Sequence, residues 1–253
     1  MKSLNSFADH APKREWLVSF FDLKEAFFTE HSLGPMMYDM FRRFLRDAGL
    51  NEKNHFTSFA ELIEQIGWES DTALGLMMVN LAMENPQIAW YVNTLDIGVY
   101  YERKQVEEML TSLDVKPKDA KSIVKSYKRI METPFGTTLN FGYFTDDENI
   151  VRLKWSMSDN RVFLYALYRF VEKCNLNREF NVSYLFDESI ERDGVSPVRL
   201  FGLYDEEELR NVLLGLSARY PNFINATNTN DLQSISLRDK SSSDVLKLFE
   251  EEY

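Results

Sequence analysis

Apolar residues recur at helical spacing through most of this chain and alternate in strand fashion only in a few short runs. Between Trp16 and about Leu95 the pattern is helix throughout. "PMMYDMFRRFLRDAG" opens on Pro35 and stops at Gly49, and "SFAELIEQIGW" opens at Ser58. "SDTALGLMMVNLAMENP" is capped by Ser70 or Asp71 and ended by Pro86. Leu74, Met77, Met78 and Leu81 share a helix face, and with Phe20, Phe21, Phe27, Phe28, Phe41, Phe44 and Phe59 they predict an aromatic-rich core.

From Ile97 to Trp155 the order changes. "YERKQVEEMLTSL" predicts a helix, "DVKP" a turn, and "KDAKSIVKSYKRIME" a second helix with Ala120, Ile123, Val124, Tyr127, Ile130 and Met131 on one face. "TLNFGYF" and "NIVRLKW" are β-prone runs around "TDDE", a hairpin signal. Helix, turn, helix, hairpin is the order of a winged helix-turn-helix. The helix that would complete its three-helix core comes from "NPQIAWYVNTL" or from the start of the stretch itself. The last third repeats that order: "SDNRVFLYALYRFVEKC", a short helix at Pro197, "DEEELRNVLLGLSARYP", two β runs in "NFINATNTNDLQSISL", and a final helix "SSDVLKLFEEE". The expected fold is mainly α with small β-hairpins. A helical N-terminal domain over 1–95 is followed by winged-helix-like units over 96–156 and 157–253.

Charge adds the candidate chemistry. Lys116, Lys118, Lys121, Lys125, Lys128 and Arg129 are six cations against one anion, Asp119, in a chain whose net charge is −11. With the apolar face inward, the cations and Ser122 point outward at steps of three and four. Like charges at that spacing repel unless a partner relieves them. Attraction to phosphate depends on the local field rather than the total charge. This helix is therefore the expected nucleic-acid contact, with Thr137 and Thr138 supplying hydroxyls beside it, or serving only to set the bend and first strand of the hairpin. The alternative is an outer face that is solvated or paired within the protein. The equivalent helix of the last third opens Asp205, Glu206, Glu207, Glu208, which suits its own dipole and would repel phosphate.

Nothing in the chain signals catalysis. No phosphate-loop, dinucleotide or nucleophile-elbow motif is present, and His10, His31 and His55 lack ligands at metal spacing. Asp187, Glu188, Glu191 and Asp193 form an acidic knot, read as a solvated loop rather than a Mg²⁺ site. No cofactor is expected. The single cysteine, Cys174, cannot form an internal disulfide, and the longest apolar run, "LGLMMVNLA", is about half a membrane span. A cytoplasmic setting without membrane contact is expected.

At "GLMMVNLAMENPQIAWYV", "KDAKSIVKSYKRIMETPFGTTLNFG", "SDNRVFLYALYRFVEKCN" and "ERDGVSPVRLFGL…FINATNTNDL" the chain resembles the C-terminal, non-catalytic region of large bacterial proteins of the phosphoadenosine phosphosulfate reductase family, of the type found near DNA-modification and phage-defence genes. The likeness runs from about Trp16 to Phe249. It implies a helical, DNA-associated accessory module of a defence or sulfur-modification system. The family's SGGKDS-type nucleotide loop has no counterpart here, so no catalytic residue carries over. The implied partners are duplex DNA and a larger protein, for which the resemblance suggests an ATP-pyrophosphatase-type domain. A protein-interaction scaffold without nucleic-acid contact is the competing reading.

Overall fold

The structure, a computed structural model, describes residues 4–10, 12–187, 193–229 and 232–250. They form two compact units, Met1–Ser156 and Met157–Tyr253, so the segments read as 1–95 and 96–156 lie in one unit.

The first unit begins with α1 (Arg14–Leu23), a single 3-10 turn, α2 (Phe27–Glu30) and α3 (Pro35–Asp47). A tight hairpin of β1 (Asn51–Glu52) and β2 (His55–Phe56) leads to α4 (Ser58–Ile66), α5 (Asp71–Glu84) and α6 (Pro86–Thr94). Then come β3 (Tyr100–Tyr101), α7 (Arg103–Thr111), α8 (Pro117–Met131), the short α9 (Pro134–Thr137), β4 (Gly142–Phe144) and β5 (Ile150–Arg152). Helix α5 is apolar all round and buried from Thr72 to Met83, which makes it the centre of this unit. The Ser70 hydroxyl caps it, and Asn85 with Pro86 ends it and starts α6. Around it the ring of Phe20 lies within 5.1 to 6.4 Å of Phe21, Phe27, Phe28, Phe41 and Phe56.

From α6 onward the order is helix, strand, three helices of which the last is the single turn α9, and two strands, and the antiparallel sheet runs β3-β5-β4. The third strand, β3, pairs Tyr100 with Val151. The first strand of the expected hairpin starts later than the β-prone run. Pro134 and the Thr133 hydroxyl, which accepts from Phe135 N at 3.3 Å, start a helical turn just ahead of that run, and Thr138 caps it. Gly136 permits that turn, since a Cβ there would sit 1.9 Å from the Met131 carbonyl oxygen. Thr137 therefore ends α9, and β4 begins at Gly142.

The second unit has α10 (Arg161–Cys174), β6 (Glu179–Asn181), α11 (Ser183–Phe186), α12 (Pro197–Phe201), α13 (Glu206–Arg219), β7 (Ile224–Thr229), β8 (Leu232–Leu237) and α14 (Ser242–Glu250). Its sheet runs β6-β8-β7, again with the first strand beside the last. Ser241 and Asp244 cap α14 reciprocally: each backbone N–H bonds the other's side chain, at 2.9 and 3.2 Å.

Candidate nucleic-acid interface

Helix α8 opens on Pro117 and carries Lys128 and Arg129 in its last turn, where cations suit the dipole. Its inner face is fixed by packing and by polar contacts. Ala120, Ile123, Val124, Tyr127 and Ile130 are buried. The Tyr127 hydroxyl donates to the Gln87 carbonyl at 2.8 Å, and burial pushes that phenol well above its ordinary pKa. Ser126 is also buried, donates to the Ile123 carbonyl at 2.7 Å, and accepts from the Gln87 side-chain amide. The helix therefore cannot roll, and Lys116, Lys118, Lys121 and Lys125 are exposed while Ser122, Lys128 and Arg129 are half-covered.

Two neighbours do the covering. The first is the N-terminal arm, residues 4–10. It is held because the backbone N–H groups of Ser6 and Phe7 donate to Gln87 Oε1 at 2.9 and 3.3 Å, and Phe7 is fully buried beside Phe44. Along α8 the arm places Asn5 Nδ2 at 3.0 Å from Asp119 Oδ1, Asp9 Oδ2 at 3.4 Å from Lys125 Nζ, and His10 Nδ1 at 3.4 Å from Arg129 Nη1. A hydrogen bond from Ser122, with smaller contributions from Lys125 and Arg129, holds the Asp9 carboxyl below the ordinary aspartate range. This contact stabilises the fold above the ordinary aspartate pKa of about 3.9 and is lost as the pH falls through the lower folded value.

The second neighbour is the turn between β4 and β5. Its Glu148 lies 3.0 Å from Arg103 and 3.6 Å from Lys128, and those cations, Arg103 foremost, hold its carboxyl below the usual range. Lys128 also sits 5.8 Å from the centre of the Phe144 ring.

The second half of α8 is thus partly neutralised from within. Lys116, Lys118 and Lys121, in the first half, have no ion-pair partner among the described residues, and Asp119 between them is occupied by Asn5. Thr137 and Thr138 lie beyond the opposite end of this helix, which at 15 residues is about 22 Å long. The Thr137 hydroxyl is turned back to the Thr133 carbonyl at 3.3 Å. The structure brings neither threonine to the free lysines.

One expectation follows for Asp9. If α8 is a nucleic-acid contact, replacing Asp9 by Asn should release Lys125 and remove a repelling charge, raising affinity for duplex DNA about two- to fivefold in anisotropy titrations at moderate salt, the range an exposed ion pair is worth.

Elsewhere, Asp205 caps α13 by accepting from Glu208 N at 2.7 Å, with Glu206 and Glu207 exposed beside it. Of the acidic knot, Asp187 and Asp193 are exposed, while Glu188 and Glu191 lie outside the described residues. His31 stacks on Tyr38 at 3.9 Å, and no group of three or more His, Cys, Asp or Glu among the described residues could hold a metal. Cys174 is half-buried. Among the described residues no helix is long and apolar enough to cross a membrane.

The first unit holds a second group of basic residues, which no motif singled out. A cleft of about 710 Å³ between α3 and the β1–β2 turn is lined by Asp39, Arg42, Arg43, Arg46, Lys53 and Asn54, among others. The signal was the run "FRRFLR", with arginines at steps of three and four.

Two solved structures share this architecture. One is described as SspB (TM-score 0.71, 15% identity) and the other as magnesium ion-bound SspB (TM-score 0.70, 16% identity). Each match covers 100% of this chain and 88% of the other. At that identity the likeness is one of fold. No family model matches the sequence, and no curated protein matches it significantly.

Proposed function

We propose that this chain is a DNA-binding accessory module of a bacterial DNA-modification or defence system, acting beside a larger partner that carries the chemistry. The observation that carries the DNA reading is the uneven pairing of α8. Its first half keeps Lys116, Lys118 and Lys121 without ion-pair partners among the described residues, while its second half is paired by Asp9 and Glu148. In a helix-turn-helix it is the first half of the second helix that meets the groove. We read α6, β3, α7, α8, β4 and β5 as a winged helix-turn-helix, a reading supported by their order and by the β3-β5-β4 sheet. We read the second unit in the same way. The acidic opening of α13 assigns that unit to packing or partner docking rather than DNA. The full-length likeness to SspB is consistent with a module of a DNA-modification system, the setting the sequence resemblance implies.

A protein-docking role is favoured by one observation of its own. Val99, Tyr100 and Tyr143 are 42%, 62% and 38% exposed, and the two tyrosines flank Val151 in the sheet with their hydroxyls 3.3 Å apart. Exposed tyrosines at this density suit a protein interface. In our reading this surface receives the larger partner and α8 receives DNA.

The test is a salt titration of binding to a 30-base-pair duplex, made on the full chain and on a fragment ending at Ser156 shown by circular dichroism to be folded. If the three lysines reach phosphates, they alone should contribute roughly −2.7 to the slope of log K against log salt, a loss of about 1.6 decades between 50 and 200 mM from this helix. The fragment should match the full chain within about threefold. A flat salt response sinks the DNA reading, and a tenfold loss in the folded fragment moves the contact to the second unit.

A further inference from the structure

The cleft between α3 and the β1–β2 turn is a second concentration of positive charge in a chain of net charge −11. Arg42, Arg43, Arg46 and Lys53 face Asp39 as the one carboxylate of the lining. Arg42 and Arg46 are four residues apart and Arg43 and Arg46 three, a spacing at which like charges oppose the helix.

Arg43 and Arg46 are held by other bonds, and the cleft as a whole keeps uncompensated positive charge. Arg43 Nη1 donates to the Ser6 carbonyl at 2.9 Å, a neutral acceptor. Arg46 donates through Nε and Nη2 to Asp47 Oδ1 at 3.0 and 2.8 Å, and the buried Asp47 is held in turn by Asn85 Nδ2 at 2.8 Å. Arg42 reaches Asp39 only at 4.0 Å, between side chains that are 45% and 64% exposed, which is a weak pair. Lys53 has no ion-pair partner among the described residues. It stands at the tip of a turn whose Lys53 and Asn54 take φ of 50° and 66°, closed by Asn54 N donating to Asn51 Oδ1 at 2.9 Å. Guanidinium groups held in place by other bonds lose little freedom on meeting an oxyanion, and their forked donors match phosphate.

We propose that this cleft binds a run of phosphate groups. The two sources of that chemistry are a nucleic-acid backbone and a free polyphosphate chain, and the backbone is favoured by continuity with α8. The arm whose Ser6 carbonyl holds Arg43 is the arm whose Asp9 and His10 touch Lys125 and Arg129. Ser6 and His10 are four residues apart, so at most about 14 Å of chain separates the two basic surfaces. A strand with one phosphate per 3.4 Å of helix axis can lie across both. The backbone source rests on the DNA reading above, whereas the phosphate site itself does not.

The test compares the full-length protein with Arg42→Ala/Lys53→Ala, two exposed positions whose loss leaves the Asp47 and Ser6 bonds intact. The probes are a 30-base-pair duplex and inorganic tripolyphosphate. The double variant should lower duplex affinity roughly 60-fold near 0.1 M salt and make the salt slope shallower by about 1.8, two contacts' worth. If the duplex fails to bind the wild type while tripolyphosphate binds and the variant loses it, the cleft stands as a free-polyphosphate site and the DNA reading fails. Equal binding of each probe to wild type and variant, or binding of neither probe to the wild type, overturns the proposal.

Discussion

Replacing Lys118 and Lys121 by glutamate should lower the affinity for duplex DNA by two decades or more at 0.1 M salt. Both side chains are exposed on the first half of α8 and neither has an ion-pair partner among the described residues, so their removal breaks no internal ion pair. Removing two phosphate contacts shallows the salt slope by about 1.8, which near 0.1 M is worth roughly 60-fold. The reversed charges add repulsion beyond that. The equivalent reversal at Lys125 and Lys128 should do less, because Asp9 and Glu148 already offset those charges. Circular dichroism and unchanged urea midpoints would show that the fold survives. Equal loss at both pairs would place the contact along the whole helix, and no loss at either would take α8 out of the interface.

Much of this architecture is written in local chemistry. The α5 helix could be read because Ser70 and Pro86 bracket an apolar run, and the buried face of α8 because Ala120, Ile123, Val124, Tyr127 and Ile130 keep a helical period. What escaped the reading depends on contacts distant in sequence. The strand β3 is two residues long and exists through its pairing with β5, about fifty positions on. The N-terminal arm has no periodicity at all. Its place is set by Gln87, some eighty residues away, whose side chain serves both the arm and Ser126. Because Asp9 reaches Lys125 only through that arm, the sequence shows the lysines but not which of them stay free.

The cleft was missed for a related reason. Arg42, Arg43 and Arg46 look like an outer helix face until Gly49, at φ +83°, turns the chain so that Lys53 comes back over them. The placement of Thr137 and Thr138 is hidden from the sequence in a similar way. Their hydroxyls suit phosphate, but Pro134 and Gly136 wind them into a helical turn at the far end of α8.

Arg152→Leu should cost the first unit about 3 kcal/mol or more, a larger effect than any surface substitution here, because two buried carbonyls lose their donor. Arg152 lies on β5 with 1% exposure. Its Nη1 donates to the Val92 carbonyl at 2.7 Å and to the Leu95 carbonyl at 2.9 Å. Those are groups at the carboxyl end of α6, where the last carbonyls of a helix lack partners within it and the dipole favours a cation. The arginine thereby ties α6 to the sheet that positions α7 and α8, so the sheet strand and the candidate DNA-binding helix depend on one buried charge. All four tryptophans, Trp16, Trp68, Trp90 and Trp155, fall in the first unit, so the midpoint of urea unfolding followed by tryptophan fluorescence reports on that unit alone. The variant's midpoint should fall, while the far-ultraviolet signal of the second unit should persist to the wild-type midpoint. Retention of the fluorescence midpoint within experimental error would show that other groups or water satisfy the two carbonyls, and would remove Arg152 as the clamp between helix and sheet.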